Sequence, residues 1–313
     1  METINLYDLE INRFNNFNFQ HIYNELVEFA LNSIFYNQTF LLNTSCILKD
    51  GHNNYLEKFV FDTAIFHISE YNKKNNTNID IRDIFVEFWS LKDDHFKKMH
   101  FDKDEQDYLI NHNTKTYGKP FLSCITYLND NNYAPTLITD IPRKIGSSEC
   151  SNFYTGKYTN FGMVFPRKMK QMSFDGGQYL HGMYLLDNRC SNRLVLPMNF
   201  WFKKPKYLSY FPYYIYLNFK YSKEQLFSIF KNKESVDFSE NLFTYKKINI
   251  DNNIMKTNNI IIDNNDIENF NKWYKHLIFG SSPVNFDHLI DLNDLSNPNN
   301  NNYIYKFNFS FVL

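Results

Sequence analysis

The chain has 313 residues, 43% of them hydrophobic, which is enough for a sizeable buried core in one domain or two small ones. Lys and Arg number 33 against 34 Asp and Glu, a formal net charge of −1, and neither sign gathers into a block. That balance excludes the electrostatic footprint of a nucleic-acid or anionic-membrane binder, and no stretch approaches the roughly 20 apolar residues of a spanning helix.

Met1–Glu10 carries acids and polar residues where a secretory signal needs a basic start and an apolar run. The four cysteines, Cys46, Cys124, Cys150 and Cys190, form no CxxC pair, so a cytoplasmic protein without a disulfide framework or zinc cluster is expected. The 32 Phe and 23 Tyr accompany abundant Asn, Ile and Lys, a pattern of A/T-rich coding that carries no functional weight. From His21 to Phe35, Ile22, Leu26, Phe29, Ala30 and Ser33 recur at helical steps and form one amphipathic stripe. A second helix is predicted from Asn54 to Tyr71, where Leu56, Phe59, Val60, Thr63, Ala64, His67 and Tyr71 keep that period. His67 lies on this apolar stripe and reads as a hydrogen-bonded core histidine.

The pattern then changes. Ile84–Trp89, Phe121–Leu128, Thr136–Ile141, Gly162–Phe165, Lys170–Phe174 and Arg193–Phe202 are short runs rich in Phe, Ile, Val, Tyr and Thr, separated by Asn, Asp, Gly and Pro. Such spacing points to an all-β sandwich or barrel. Beyond Lys203, the Ser222-x-x-Gln225 capping pattern and the segment Asp266–Leu277 predict helices. Asn297–Asn302 reads as a low-complexity loop and Tyr303–Val312 as a strand.

Candidate chemistry begins at Met99-His-Phe-Asp-Lys-Asp-Glu105. Side chains at i and i+2 of an extended segment share a face, so His100 and Asp102 can reach one metal ion. Two His and one carboxylate on one face of an octahedron leave three positions open, the arrangement of Fe(II) enzymes that bind a cosubstrate and O2. Taken by itself the same acidic stretch reads equally as a solvated loop. His95 and His112 read as loop residues, and His21, His52, His276 and His288 lack a ligand-like spacing.

Further segments follow in order. Pro120–Asp130 contains Tyr127-Leu-Asn, and Ala134-Pro-Thr-Leu-Ile-Thr139 leads into a strand. Phe165-Pro-Arg-Lys-Met169 precedes Phe174, and Tyr179-Leu-His-Gly-Met183 supplies a second histidine, His181, 79 residues beyond Asp102. Asn192-Arg-Leu-Val-Leu-Pro-Met-Asn-Phe-Trp201 closes the series. Together they resemble the prolyl-4-hydroxylase-like branch of the Fe(II)/2-oxoglutarate-dependent dioxygenases, over about Ile84 to Lys204. The chain departs from that family where Ala134-Pro135 stands for Gly-Gly and where Met169 replaces the glycine of Pro-x-x-Gly.

The resemblance implies a mainly β fold with flanking helices around a double-stranded β-helix, a jelly-roll or cupin-like core. The resemblance covers an oxygenase core (84–204); outside it, pattern alone reads 1–83 as N-terminal helical support and 205–313 as an α/β extension packed on the core, as a single compact unit. It implies Fe(II) held by His100, Asp102 and His181, and 2-oxoglutarate held by Arg193 and Tyr127, with Arg189 the rival anchor. Such an enzyme uses O2 to hydroxylate a C–H bond of a protein side chain or small molecule, releasing succinate and CO2. Two other readings stay open: a cupin-type metal enzyme without 2-oxoglutarate, and an inactive barrel acting as a binding module.

Overall fold

The computed structural model describes residues 4–11, 19–31, 38–50, 54–93, 97–105, 107–108, 117–142, 160–183, 192–206, 208–211, 241–249, 255–262 and 304–311. Among these, the strands form two sheets. The larger runs β12 (Ser209–Tyr210), β2 (Thr39–Asn43), β3 (Phe85–Trp89), β11 (Arg193–Trp201), β6 (Leu122–Tyr127), β9 (Lys170–Phe174), β1 (Asn5–Ile11) and β13 (Phe243–Ile248). A short β4 (Leu91–Asp93) follows β3 along β11. The smaller sheet runs β14 (Met255–Ile262), β15 (Ile304–Phe311), β8 (Asn160–Val164), β7 (Thr136–Pro142), β10 (Tyr179–Met183) and β5 (Lys97–His100).

Chain order shows how the sheets are woven together. β6 lies in the large sheet, β7 and β8 in the small one, β9 in the large, β10 in the small and β11 in the large. The set β3/β4-β11-β6-β9 against β5-β10-β7-β8 is a double-stranded β-helix, as the sequence implied. Ile125, Tyr127, Met172, Phe174 and Val195 of one sheet pack with Ile138 and Val164 of the other between the two layers.

The helices close the outer face of the large sheet. Helix α1 (Phe19–Leu31) buries Ile22, Leu26, Phe29 and Ala30. After the short α2 (Thr44–Asp50), α3 (Tyr55–Asn75) starts at Asn54, whose side chain accepts the Glu57 backbone N–H at 2.7 Å. It ends at Asn76, which adopts the left-handed conformation (φ 52°). Their apolar stripes meet Val86, Phe88, Cys124, Leu194, Leu196, Met198 and Phe200. Each fully buried Phe or Leu in that layer stabilises by roughly 1.5–3 kcal/mol.

Both faces of β11 are therefore covered, and every one of its residues is buried. Its even-numbered side chains face the helices, while Arg193, Val195, Pro197 and Asn199 face the interior of the barrel. A proline inside a central strand lacks a ladder donor. Here Pro197 falls between the residues paired with β4 (193–195) and those paired with β3 (198–201), where no ladder bond is required on that side.

Two strands lie in the segment expected to be helical support: β1 pairs with β9 and β13, and β2 with β3. The strand expected at Tyr303–Val312 is β15. The helices expected at Ser222 and Asp266, the Asn297–Asn302 loop and Arg189 fall outside the described residues. Among the described residues no helix is long and apolar enough to cross a membrane.

His67 sits on α3 as the periodicity indicated, 2% exposed. Its Nε2 is 2.7 Å from Gln171 Oε1, and Gln171 Nε2 donates to Thr126 Oγ1 at 2.7 Å. The carboxamide oxygen can only accept, so His67 donates from Nε2. Burial, against the Gln171 bond, pushes its pKa down to about 4 from 6.5. An unfolded chain takes up this proton as pH falls through 6.5, and the folded chain does so only near 4. Stability should therefore fall as pH drops across that window, by about 3 kcal/mol in total from this group. Urea unfolding at stepped pH should show His67→Gln losing close to one proton of pH dependence between 6.5 and 4. An unchanged slope would contradict the assignment.

Candidate metal centre

His100 ends β5, and His181 lies directly opposite it on β10. β10 shifts register beside His181 against both neighbours, between Tyr179 and His181 on β7 and between His181 and Met183 on β5. Such bulges re-aim a side chain. The two imidazole rings stand 4.5 Å apart between centroids. Asp102 follows β5 by two residues, and its backbone N–H donates to Gly176 O at 2.9 Å.

The carboxylate oxygen Oδ1 of Asp102 is 3.8 Å from His100 Nε2 and 3.5 Å from His181 Nε2. All three ligand atoms lie within 4.8 Å of one another. Neighbouring ligands of an octahedral ion at roughly 2.0–2.2 Å stand about 3 Å apart, so small side-chain movements would bring the three onto one ion. Their orientations fit that use. His181 Nδ1 donates to Tyr179 O at 3.1 Å, which leaves the Nε2 lone pair facing Asp102. The edge-on ring of Phe174, 4.7 Å away, holds the imidazole from the side.

The second carboxylate oxygen of Asp102 accepts from Ser123 Oγ at 2.7 Å. Burial alone would disfavour the Asp102 charge, but His181, His100 and the Ser123 hydroxyl outweigh it and hold the carboxyl well below the usual range. Burial likewise opposes a charge on His181, and Asp102 overrides it to raise the imidazole's pKa. Gly176 is needed for this packing. A Cβ there would stand 2.2 Å from Asp102 Oδ2 and 2.4 Å from Ser123 Oγ.

The cluster opens onto a cavity of about 220 Å³, lined also by Trp89, Leu91, Ile125, Phe174, Val195 and Pro197. Thr136 and Arg193 form a polar place on its wall. Arg193 donates to Thr136 Oγ1 at 2.8 Å, and the Tyr127 hydroxyl lies 2.8 Å from the same oxygen. The guanidinium is 5.7 Å from the Tyr127 ring centre. Tyr127 is wholly buried and does not line the cavity; it stands behind Thr136 and Arg193, which do.

The two departures from the family pattern are accommodated locally. At Ala134-Pro135 the turn is held by Asn131, whose side chain accepts the backbone N–H groups of Tyr133 and Ala134, each at 2.8 Å. Met169 takes the left-handed backbone itself (φ 59°), donating its N–H to Tyr127 O at 2.8 Å. A non-glycine residue there costs roughly 1–2 kcal/mol. Burial of its side chain offsets that.

Ser123 and Gly176 went unnoticed in the sequence. Ser123 shares the inward parity of β6 with Ile125 and Tyr127, and the Gly176-Gly177 pair marks a close backbone approach, which were the available signals.

No family model and no curated protein matches the chain. Among solved structures, a Pseudomonas putida prolyl-4-hydroxylase aligns at 13% identity over 53% of this chain and 72% of its own, with a TM-score of 0.32. HygX from Streptomyces hygroscopicus with iron bound aligns at 10% identity over 66% and 84%, with a TM-score of 0.34. The same protein with nickel and 2-oxoglutarate bound aligns over 62% and 80%, with a TM-score of 0.33.

Proposed function

We propose that the chain is an Fe(II)- and 2-oxoglutarate-dependent oxygenase that hydroxylates a C–H bond of a protein side chain or small molecule. The carrying observation is one cavity lined by the His100-Asp102-His181 donor set and by the Arg193 guanidinium. When bound, iron and 2-oxoglutarate supply the oxidising chemistry, consuming O2 and releasing succinate and CO2.

The chain's own residues hold and exclude. His100 Nε2, His181 Nε2 and Asp102 Oδ1 would hold the metal. Ser123 and the Gly176 carbonyl fix Asp102 in place, and Tyr179 O fixes the His181 tautomer. Arg193 offers the cosubstrate's distal carboxylate a planar fork, with the Thr136 hydroxyl beside it and Tyr127 bracing Thr136 from behind. Trp89, Leu91, Phe174 and Val195 keep water from the reacting end. A cupin-type enzyme without 2-oxoglutarate needs no anchor for a C5 carboxylate at this place.

Titrating the anaerobic Fe(II) protein with 2-oxoglutarate should produce a metal-to-ligand charge-transfer band in the visible. No band at millimolar cosubstrate would overturn the proposal.

A further inference from the structure

The cavity has a second polar place that the chemistry above leaves unused. Asn199 lies six residues beyond Arg193 on β11, on the same face, 4% exposed, and lines the cavity. Its partner across the ladder is Ser123, the residue that holds Asp102, so Asn199 stands at the metal end of the wall.

The orientation of its amide is fixed from behind. Asn199 Nδ2 donates to Glu87 Oε2 at 3.2 Å, and the Trp201 indole Nε1 donates to the same oxygen at 2.8 Å. An indole N–H can only donate, so Glu87 Oε2 acts as an acceptor and the amide must turn its NH2 toward it. A carbonyl in that place would set two acceptors against each other. Asn199 Oδ1 is left buried, accepting no hydrogen bond from the described residues. Buried side-chain acceptors are nearly all partnered in folded proteins. On a cavity wall, a donor on a ligand is the natural match.

We propose that Asn199 reads the substrate: its Oδ1, oriented by Glu87 and Trp201, accepts a hydrogen bond from an N–H or O–H group carried near the carbon that is oxidised. The substrate is accordingly an alcohol, amine or amide at its reacting end. A carboxylate or bare carbonyl at the same place would face Oδ1 without a proton to share. Glu87 and Trp201 are positioning residues, acting through the amide.

The location of oxidation rests on the oxygenase reading; the donor preference is a property of binding alone. It can be measured by saturation-transfer NMR on the full chain loaded with Zn(II), with and without 2-oxoglutarate. Two isosteric probe pairs serve: cyclopentanol with cyclopentanone, and 2-pyrrolidinone with γ-butyrolactone. Each donor should bind about tenfold tighter than its isostere, since the isostere leaves a buried acceptor unpaired. In Asn199→Leu the preference should vanish while Zn(II) still binds. Equal binding within both pairs in the wild type, or no binding by any probe, would overturn the proposal without recourse to a variant. So would a preference that survives in Asn199→Leu. A donor preference in a protein whose Fe(II) form gives no band with 2-oxoglutarate would sink the oxygenase reading and leave Asn199 as the donor-reading residue.

Discussion

Asp102→Ala should reduce metal affinity by well over 100-fold while the fold survives. Loss of a residue that merely supports a ligand costs about 10–100-fold; Asp102 is itself the charged donor, with Oδ1 facing both histidines. Without it, two imidazoles remain with nothing to offset the charge of a divalent ion. Gly176→Ala tests the same geometry without touching a ligand. Its Cβ would overlap both Asp102 Oδ2 and Ser123 Oγ, and neither short side chain can step aside without leaving the site. A fall in affinity of about 10–100-fold is expected, with Ser123→Ala in the same range because it removes only the hydroxyl holding Oδ2. Calorimetric titration with Co(II) or Mn(II) would rank the three. If Asp102→Ala bound one equivalent as tightly as the wild type, the metal centre would lie elsewhere.

The parts of the site legible in the sequence were those written in local spacing. The i, i+2 placement of His100 and Asp102 needs only an extended segment. The helical stripe carrying His67 was equally local. Contacts made across long separations stayed hidden. Gly176 is 74 residues from the carboxylate it crowds, and Glu87 is 112 residues from Asn199. β1 was obscured differently: Asp8 and Glu10, read as a polar terminus, are the outward positions of a strand whose Leu6, Tyr7 and Leu9 are buried. A strand's partners, β9 and β13 here, are not encoded in its own residues. Met169 shows the opposite case. The sequence marked it as a substituted glycine, and the backbone keeps the left-handed turn all the same, because the Tyr127 and Leu9 bonds on either side of it fix the chain path.

Arg193→Ala should separate cosubstrate binding from metal binding. The guanidinium is buried, lines the cavity and already engages Thr136 Oγ1, whose other neighbour is the Tyr127 hydroxyl. A carboxylate entering beside Thr136 would meet a fixed cation. Removing that cation leaves a partly desolvated anion without its main partner, which typically costs about 2–5 kcal/mol, or roughly 30-fold to several thousand-fold in 2-oxoglutarate affinity. Fe(II) affinity should change little, since Arg193 is no ligand. Arg193→Lys should fall between, because an ammonium supplies charge without the planar two-point fork. Tyr127→Phe should cost less than either, since the hydroxyl stands behind Thr136 and Arg193 and does not line the cavity. The anaerobic charge-transfer titration reads all four proteins on one scale. A wild-type band that reappears unchanged in Arg193→Ala would remove Arg193 from the anchor role and move the test to Arg189, with the metal donors unaffected.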